Sequence, residues 1–330
     1  MKKIQSKKWR EFGGISLTTL DTKCEEVQDD ILLPFIKDGD ATMIYSPSGV
    51  GKSFYVIGIA VAIAGGGEFI GYNAPKPKKV LYIDGEMSKW QLQTRIKASL
   101  SDNNIDMVYK NLYIANRELS EYLFPDLGNK EHISYIHKEI LSNGYDVVIF
   151  DNFSTLALNI EDENSAGSFN PTLELIQELK SSGILPILVH HSNKNGGSYR
   201  GTTKIEAIFS NIISLEKSNN VDLSIGAGFR VKFTKNRNEF SEYTEPRTVQ
   251  LVKHSGWTSI TTDDDIEDKI LKELVKCIYE SQQQIAEALG ISTSAVSKAK
   301  KRLMAKGKID DKQWKLYLEA ATDEIENNDF

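Results

Sequence analysis

Cysteine is nearly absent from this chain of 330 residues. Its two cysteines, Cys24 and Cys277, are isolated from each other, which excludes a cysteine-built zinc site and suits a reducing cytoplasm. Long hydrophobic runs are missing too. The longest apolar stretch lies within residues 54–64, too short to cross a bilayer. No signal peptide is visible, because Lys2, Lys3, Lys7, Lys8 and Arg10 are not followed by an apolar segment. The expectation is a cytoplasmic protein with no membrane partner. A surplus of positive charge is also lacking: the formal net charge is −6, which argues against indiscriminate nucleic-acid binding. Local binding stays open, because the charge is uneven. The N-terminal residues 1–10 and residues 298–308 are basic, while acid gathers at Asp263, Asp264 and Asp265 and in residues 319–330, read as solvated surface. There is no internal repeat. What remains is an ordinary globular composition, long enough for two domains, one with a substantial core.

The most informative stretch is Ser46, Pro47, Ser48, Gly49, Val50, Gly51, Lys52 and Ser53. An apolar run at 41–45 precedes it and reads as a short buried strand. Residues 54–64 follow as a helix that stops at Gly65, Gly66 and Gly67. Strand, glycine loop and helix in that order make a phosphate loop. Glycines let successive backbone N–H groups curl round a triphosphate, and the helix N-terminus adds positive potential. Lys52 would reach the β- and γ-phosphates of ATP and the Ser53 hydroxyl would sit on Mg²⁺. The position usually held by the first glycine is Ser46.

From 39 to about 256, β-rich runs alternate with helical stretches. Strands are expected at 41–45, 79–84, 111–115, 146–151, 184–190, 210–216, 229–235 and 247–253, and helices at 51–64, 88–101, 131–142 and 170–182. That alternation predicts an α/β domain with a mainly parallel sheet covered on both faces, and the closely spaced later strands predict an antiparallel extension. Residues 1–38 read as a leading arm with a helix around 23–33 stopped by Pro34, residues 39–260 as the ATPase domain and 261–269 as a polar, acidic linker. In residues 270–330, a short helix, a glycine turn at Gly290, a Ser/Thr cap and a second helix form a helix-turn-helix signature, with room for a small wing after Gly307 and an acidic tail beyond.

Two carboxylates are candidates for chemistry. Asp151 ends a buried strand, where it would hold Mg²⁺ through water. Glu86 follows the strand ending at Asp84, expected beside the phosphate-loop strand, and would polarise the attacking water. The segment that begins there, with Glu86-Met87, Gln91-Leu92 and Arg95, resembles the corresponding segment of DnaB-type replicative helicases. His190 and His191 end the strand before Ser192, Asn193 and Lys194, and resemble plasmid RepA-type helicases, as does the Arg200–Gly201 step. In this RecA-like class that strand ends in a residue sensing the γ-phosphate. Alternation along a strand lets only one of the pair face the nucleotide, and His191 is the preferred choice. The remaining histidines, His132, His137 and His254, are not nearby in sequence, so no histidine metal site is expected. The loop at 195–201 would hold single-stranded DNA in a ring pore, with Lys194, Tyr199 and Arg200 as contacts, or is plain surface. Lys235, Arg237 and Asn238 resemble the lysine-x-arginine-asparagine element that the family supplies to the neighbouring subunit's active site, although Glu239 stands where the family continues with glycine.

The resemblance covers about 39–255 and implies a RecA-like core, ATP and Mg²⁺, and a hexameric ring. The N-terminal domain of DnaB has no counterpart, and the helix-turn-helix module is an addition. In its second helix, Lys298, Lys301 and Arg302 are candidate duplex-DNA contacts. A protein partner, such as a primase or initiator, is the alternative for this module. The expected function is a ring-forming replicative helicase of a plasmid, phage or mobile element. Its alternative is a RecA-fold ATP-dependent switch acting as a DNA-binding regulator or recombination mediator.

Overall fold

Alternate residues of the strand before the phosphate loop face two different cores, which marks it as the middle of a layered domain. The computed structural model describes residues 14–24, 28–100, 104–121, 124–158, 169–192, 204–218, 227–238, 241–252, 256–260 and 263–326. The N-terminal part comprises α1 (Leu17–Lys23), β1 (Asp30–Leu32), β2 (Ile36–Lys37), β3 (Thr42–Ser46), α2 (Lys52–Gly65), β4 (Glu68–Phe69) and β5 (Tyr72–Asn73). Next come β6 (Val80–Asp84), α3 (Lys89–Ala98), α4 (Ile105–Asn111), β7 (Leu112–Asn116), α5 (Lys130–Asn143), β8 (Val147–Asp151) and α6 (Phe153–Leu156). The core closes with α7 (Asn170–Ser181), β9 (Leu185–His191), α8 (Lys204–Ile208), β10 (Asn211–Glu216), β11 (Gly228–Asn236), β12 (Arg247–Val252) and β13 (Gly256–Ile260). Four helices follow: α9 (Asp263–Leu274), α10 (Gln282–Leu289), α11 (Thr293–Ala305) and α12 (Asp311–Glu326).

Nine strands form one sheet in the order β13-β12-β11-β10-β3-β9-β8-β6-β7. Pairing is parallel from β10 through β7 and antiparallel from β10 to β13, so the parallel sheet and its antiparallel extension both stand. Ile44, Val147 and Ile149 pack with α2 in one core, whereas Met43, Tyr45, Val148 and Phe150 pack with α5 and α7 in the other. Period-two alternation produces this division. Helix α2 is buried from Tyr55 to Gly65, as an apolar helix must be when sheet and strands surround it. Helix α5 instead buries only Ile133, Ile136 and Ile140, one face at helical spacing. Among the described residues, no helix is long and apolar enough to cross a membrane.

Four sequence expectations need correction. The strand before Glu86, β6, is not beside β3; β8 and β9 lie between them, and β6 pairs with β8 and β7. The leading arm ends earlier than residue 38, since Ile31, Leu32, Phe35 and Ile36 are buried in the core with α2. Its helix is Leu17–Lys23, capped by the Ser16 side chain, while Asp30–Leu32 is a strand paired with β2. The expected linker enters helix α9 at Asp263, because its acids have partners: Arg230 of β11 pairs with Asp265 and Asp268. After Gly307 comes helix α12 rather than a strand-built wing, with Trp314 filling the small core of Ile270, Ile285, Val296 and Leu303.

Candidate active site

The phosphate loop takes its shape from two left-handed glycines. Gly49 has φ 78° and Gly51 φ 115°, a region that side-chain-bearing residues avoid. A Cβ on Gly51 would also lie 3.1 Å from the Phe229 ring. Gly51 caps α2 without any side-chain hydrogen bond, so the first N–H groups of a fourteen-residue helix point at the loop as an anion cradle. The Lys52 ammonium, buried, lies 3.2 Å from the Ser46 carbonyl, 3.3 Å from Ser46 Oγ, 3.3 Å from the Pro47 carbonyl and 3.2 Å from His191 Nδ1. Burial lowers its pKa, opposed by the charges of Asp151 and Glu86. Ser46, in place of the usual glycine, is fully buried, and its hydroxyl donates to the Pro47 carbonyl at 2.7 Å.

Strand register settles the histidines. Ser46 is paired with His191, which therefore stands beside the loop, with Ser48 Oγ 3.4 Å from its Nδ1. His190 points the other way, fully buried, in T-shaped contact with both rings of the stacked Phe153–Phe169 pair.

The acids converge on the same strand ends. Asp151 and Asp84 are directly paired across β8 and β6. Burial pushes Asp151 up to about 6, against hydrogen bonds from Tyr82 and Ser53; the charge of Asp84 raises it and that of Lys52 lowers it. The Tyr82 hydroxyl donates to Asp151 Oδ2 at 2.5 Å. Asp84, also raised by burial, accepts from Asn116 Nδ2 at 2.6 Å and from the Glu86 and Met87 backbone N–H groups at 3.2–3.3 Å. It thus shapes the turn that presents Glu86. Glu86 is exposed, and its Oε2 accepts from Asn152 Nδ2 at 2.6 Å. Tyr82, Asp84, Asn116 and Asn152 were not among the site residues expected from sequence. Of these, Asp84 closes an apolar run of the sequence, as Asp151 does.

Lys235 and Arg237 lie elsewhere. Lys235 pairs with Ile212 and Asn236 with Asn211, which itself pairs with Thr42 at the start of β3. Arg237 N–H donates to the Ser210 carbonyl at 3.2 Å. Both cations are therefore level with the beginning of β3, while the phosphate loop follows its end. Lys235 Nζ donates to the Glu206 carbonyl, and its pKa is lowered by burial and then by the charge of Arg237. Lys194, Tyr199 and Arg200 fall outside the described residues.

In the C-terminal module, Lys298 and Lys301 are exposed on α11. Arg302 corrects the sequence reading: its Nε donates to Glu267 at 2.7 Å, and Lys306 donates to the other oxygen at 2.7 Å. Glu267 is wholly buried, so this end of the helix serves the module's own packing.

The AAA domain family matches residues 18–197, more than half of the chain and all of the phosphate-loop, Glu86 and Asp151 elements. The chain belongs to the AAA domain family. The AAA match begins before residue 39, in agreement with the packed β1–β2 hairpin. Residues 263–310 match the winged helix-turn-helix DNA-binding family. The AAA chain is 24% identical over 252 residues to the DNA repair protein RadA of Campylobacter jejuni, covering 71% of this chain and 50% of RadA. The chain thus spans about half the length of that relative. It is 25% identical over 205 residues to the DNA repair and recombination protein RadB of Methanocaldococcus jannaschii, covering 59% of this chain and 87% of RadB. A KaiC-like protein of Pyrococcus horikoshii shares the fold, with a TM-score of 0.50 at 16% identity over 70% of this chain and 94% of that one.

The residues of this AAA site fit ATP and Mg²⁺. The free N–H groups at Gly51 and the glycine φ angles form the phosphate cradle. Ser53, at the start of α2, and Asp151, at the end of β8, offer the hard oxygen donors that Mg²⁺ prefers.

Proposed function

We propose that this chain is an ATP-hydrolysing, ring-forming DNA helicase whose active sites are completed between subunits. The observation that carries the reading is the separation of Lys235 and Arg237 from the subunit's own phosphate loop: they lie level with the start of β3, whereas the loop follows its end. A cationic pair so placed serves a neighbour's phosphates, as an arginine finger does.

In this reading Lys52 and the cradle bind the β- and γ-phosphates, and Ser53 with Asp151 hold Mg²⁺. The metal supplies charge neutralisation on the phosphate oxygens. Glu86 takes the proton of the attacking water. His191, against Lys52, senses the γ-phosphate and leads directly into the segment bearing Lys194, Tyr199 and Arg200, which holds single-stranded DNA. The C-terminal module holds duplex DNA through Lys298 and Lys301.

A second reading, a DNA-bound recombination switch without strand separation, is favoured by the names of the relatives RadA and RadB. Displacement of one strand from a forked duplex separates the two. The helicase reading expects ATP-dependent displacement that is lost in Lys52→Ala. ATP-dependent retention on DNA without displacement would replace it with the switch.

A further inference from the structure

The turn that carries Glu86 is built against the residues that follow Asp151. The Gly85 N–H donates to the Asp151 carbonyl at 2.9 Å. A Cβ on Gly85 would fall 2.6 Å from Thr155 Oγ1 and 2.9 Å from Leu156 Cδ2, so the turn lies directly on the first turn of α6. Asn152 sits at this contact, 1% exposed, and does two separable things. Its Oδ1 accepts from the Thr155 N–H at 3.2 Å, capping α6. Its Nδ2 donates to Glu86 Oε2 at 2.6 Å.

We infer that Asn152 is the positioning residue for Glu86, tethering one carboxylate oxygen over the end of β8 and leaving the other to receive a proton. The inference rests on the reading of Glu86 as the base. Glu86 is exposed on a turn, where a glutamate side chain otherwise samples many rotamers. A hydrogen bond to an ionised acceptor is roughly twice as strong as a neutral one, enough to select among them. The donor is also neutral. A lysine or arginine in its place would hold the carboxylate equally well but lower its proton affinity, which a base cannot spare. Asn152 is in turn fixed by its own cap, so the tether has a rigid anchor on the strand that presents Asp151.

The cap and the tether can be separated by substitution. Asn152→Asp and Asn152→Ser both keep an oxygen that can cap α6, while both lose the Nδ2 donor, and aspartate adds a like charge beside Glu86. Turnover and affinity for a fluorescent ATP analogue are measured on the full chain. The expected result is a fall in kcat of up to about 10²-fold, the cost of misplacing a reacting group, with analogue affinity and KM unchanged and aspartate worse than serine. Combined with Glu86→Gln, neither change should lower residual turnover further, because the tether then has no base to position. Wild-type kcat in both single variants overturns the inference, and so does parallel loss of turnover and nucleotide affinity, the mark of a purely structural role. Equal losses with and without Glu86→Gln overturn it as well. Undiminished turnover in Glu86→Gln alone identifies a different failure, that of the base assignment itself.

Discussion

Arg230 of β11 pairs with Asp265 of α9 at 2.8 Å, and both side chains are almost entirely buried. This ion pair crosses from the nine-stranded sheet to the helix-turn-helix module, and Asp268 completes it at 2.8 Å. Removing one partner of a buried pair leaves the other charged and desolvated. Arg230→Ala should therefore cost roughly 3–5 kcal/mol, read as a lowered denaturant midpoint of the full chain. Arg230→Ala combined with Asp265→Asn and Asp268→Asn should recover much of that loss, since no buried charge is then orphaned.

The buried Asp151 gives stability a distinctive pH dependence. Its folded pKa is raised to about 6 from 3.8, so between these values the folded chain holds a proton that the unfolded chain has released. Stability of metal-free protein should then fall as pH rises through this window, by about 3 kcal/mol at most. Chemical denaturation at pH 4.5 and pH 7 measures it, and Asp151→Asn should flatten that slope and abolish ATP hydrolysis.

Glu86→Gln should reduce turnover to a small residual rate yet keep nucleotide binding, because the phosphate cradle does not include it. Lys52→Ala should weaken both. Phosphate release and equilibrium binding of a fluorescent ATP analogue distinguish the two outcomes, and near-normal turnover in Glu86→Gln would reject its role.

Sharing of sites between subunits predicts complementation. Arg237→Ala and Lys52→Ala chains, each with little activity, should regain some when mixed, since one interface in the mixture joins an intact loop to an intact arginine. An arginine supplied in trans contributes about 10³–10⁵ in rate, so the recovered signal stands clear of the parents. Full activity in a monomer, established by sedimentation, would exclude sharing.

Lys298 and Lys301 are exposed whereas Arg302 is committed to Glu267. Replacing both lysines by alanine should flatten the salt dependence of duplex binding by about two units. Arg302→Ala should leave that slope alone and instead lower the melting temperature, because Glu267 would keep only Lys306.

The strand ends that build the nucleotide site were legible in sequence because each closes a buried apolar run with a polar residue, as at Asp151 and His191. Alternation required only that one of His190 and His191 face the loop; the register of Ser46 with His191 places that one. The short hairpins were not legible. Strands β1, β2, β4 and β5 have only two or three residues each, and their packing depends on distant partners such as Asn73 against Leu33. Tyr82 and Asn152 escaped notice for the same reason, since their contacts span 69 and 66 residues of sequence. The polar face of α11 was visible, but the approach of Glu267 from 35 residues away was not. Local patterning shows which face is polar; the carboxylate that claims it comes from the tertiary fold.

Strand β11 carries Arg230 near one end and Lys235 at the other, with Arg237 just beyond. Five residues of extended chain separate the two, roughly 17 Å at the usual rise of a strand. Extended backbone has little length to give, and β10 pairs with it from Arg230 to Asn236, with a bulge at Thr234. In mechanical terms the strand is a tie with one yielding point at that bulge: tension applied to the module at Asp265 and Asp268 passes along β11 toward Lys235 and Arg237, the cations proposed to serve a neighbouring subunit.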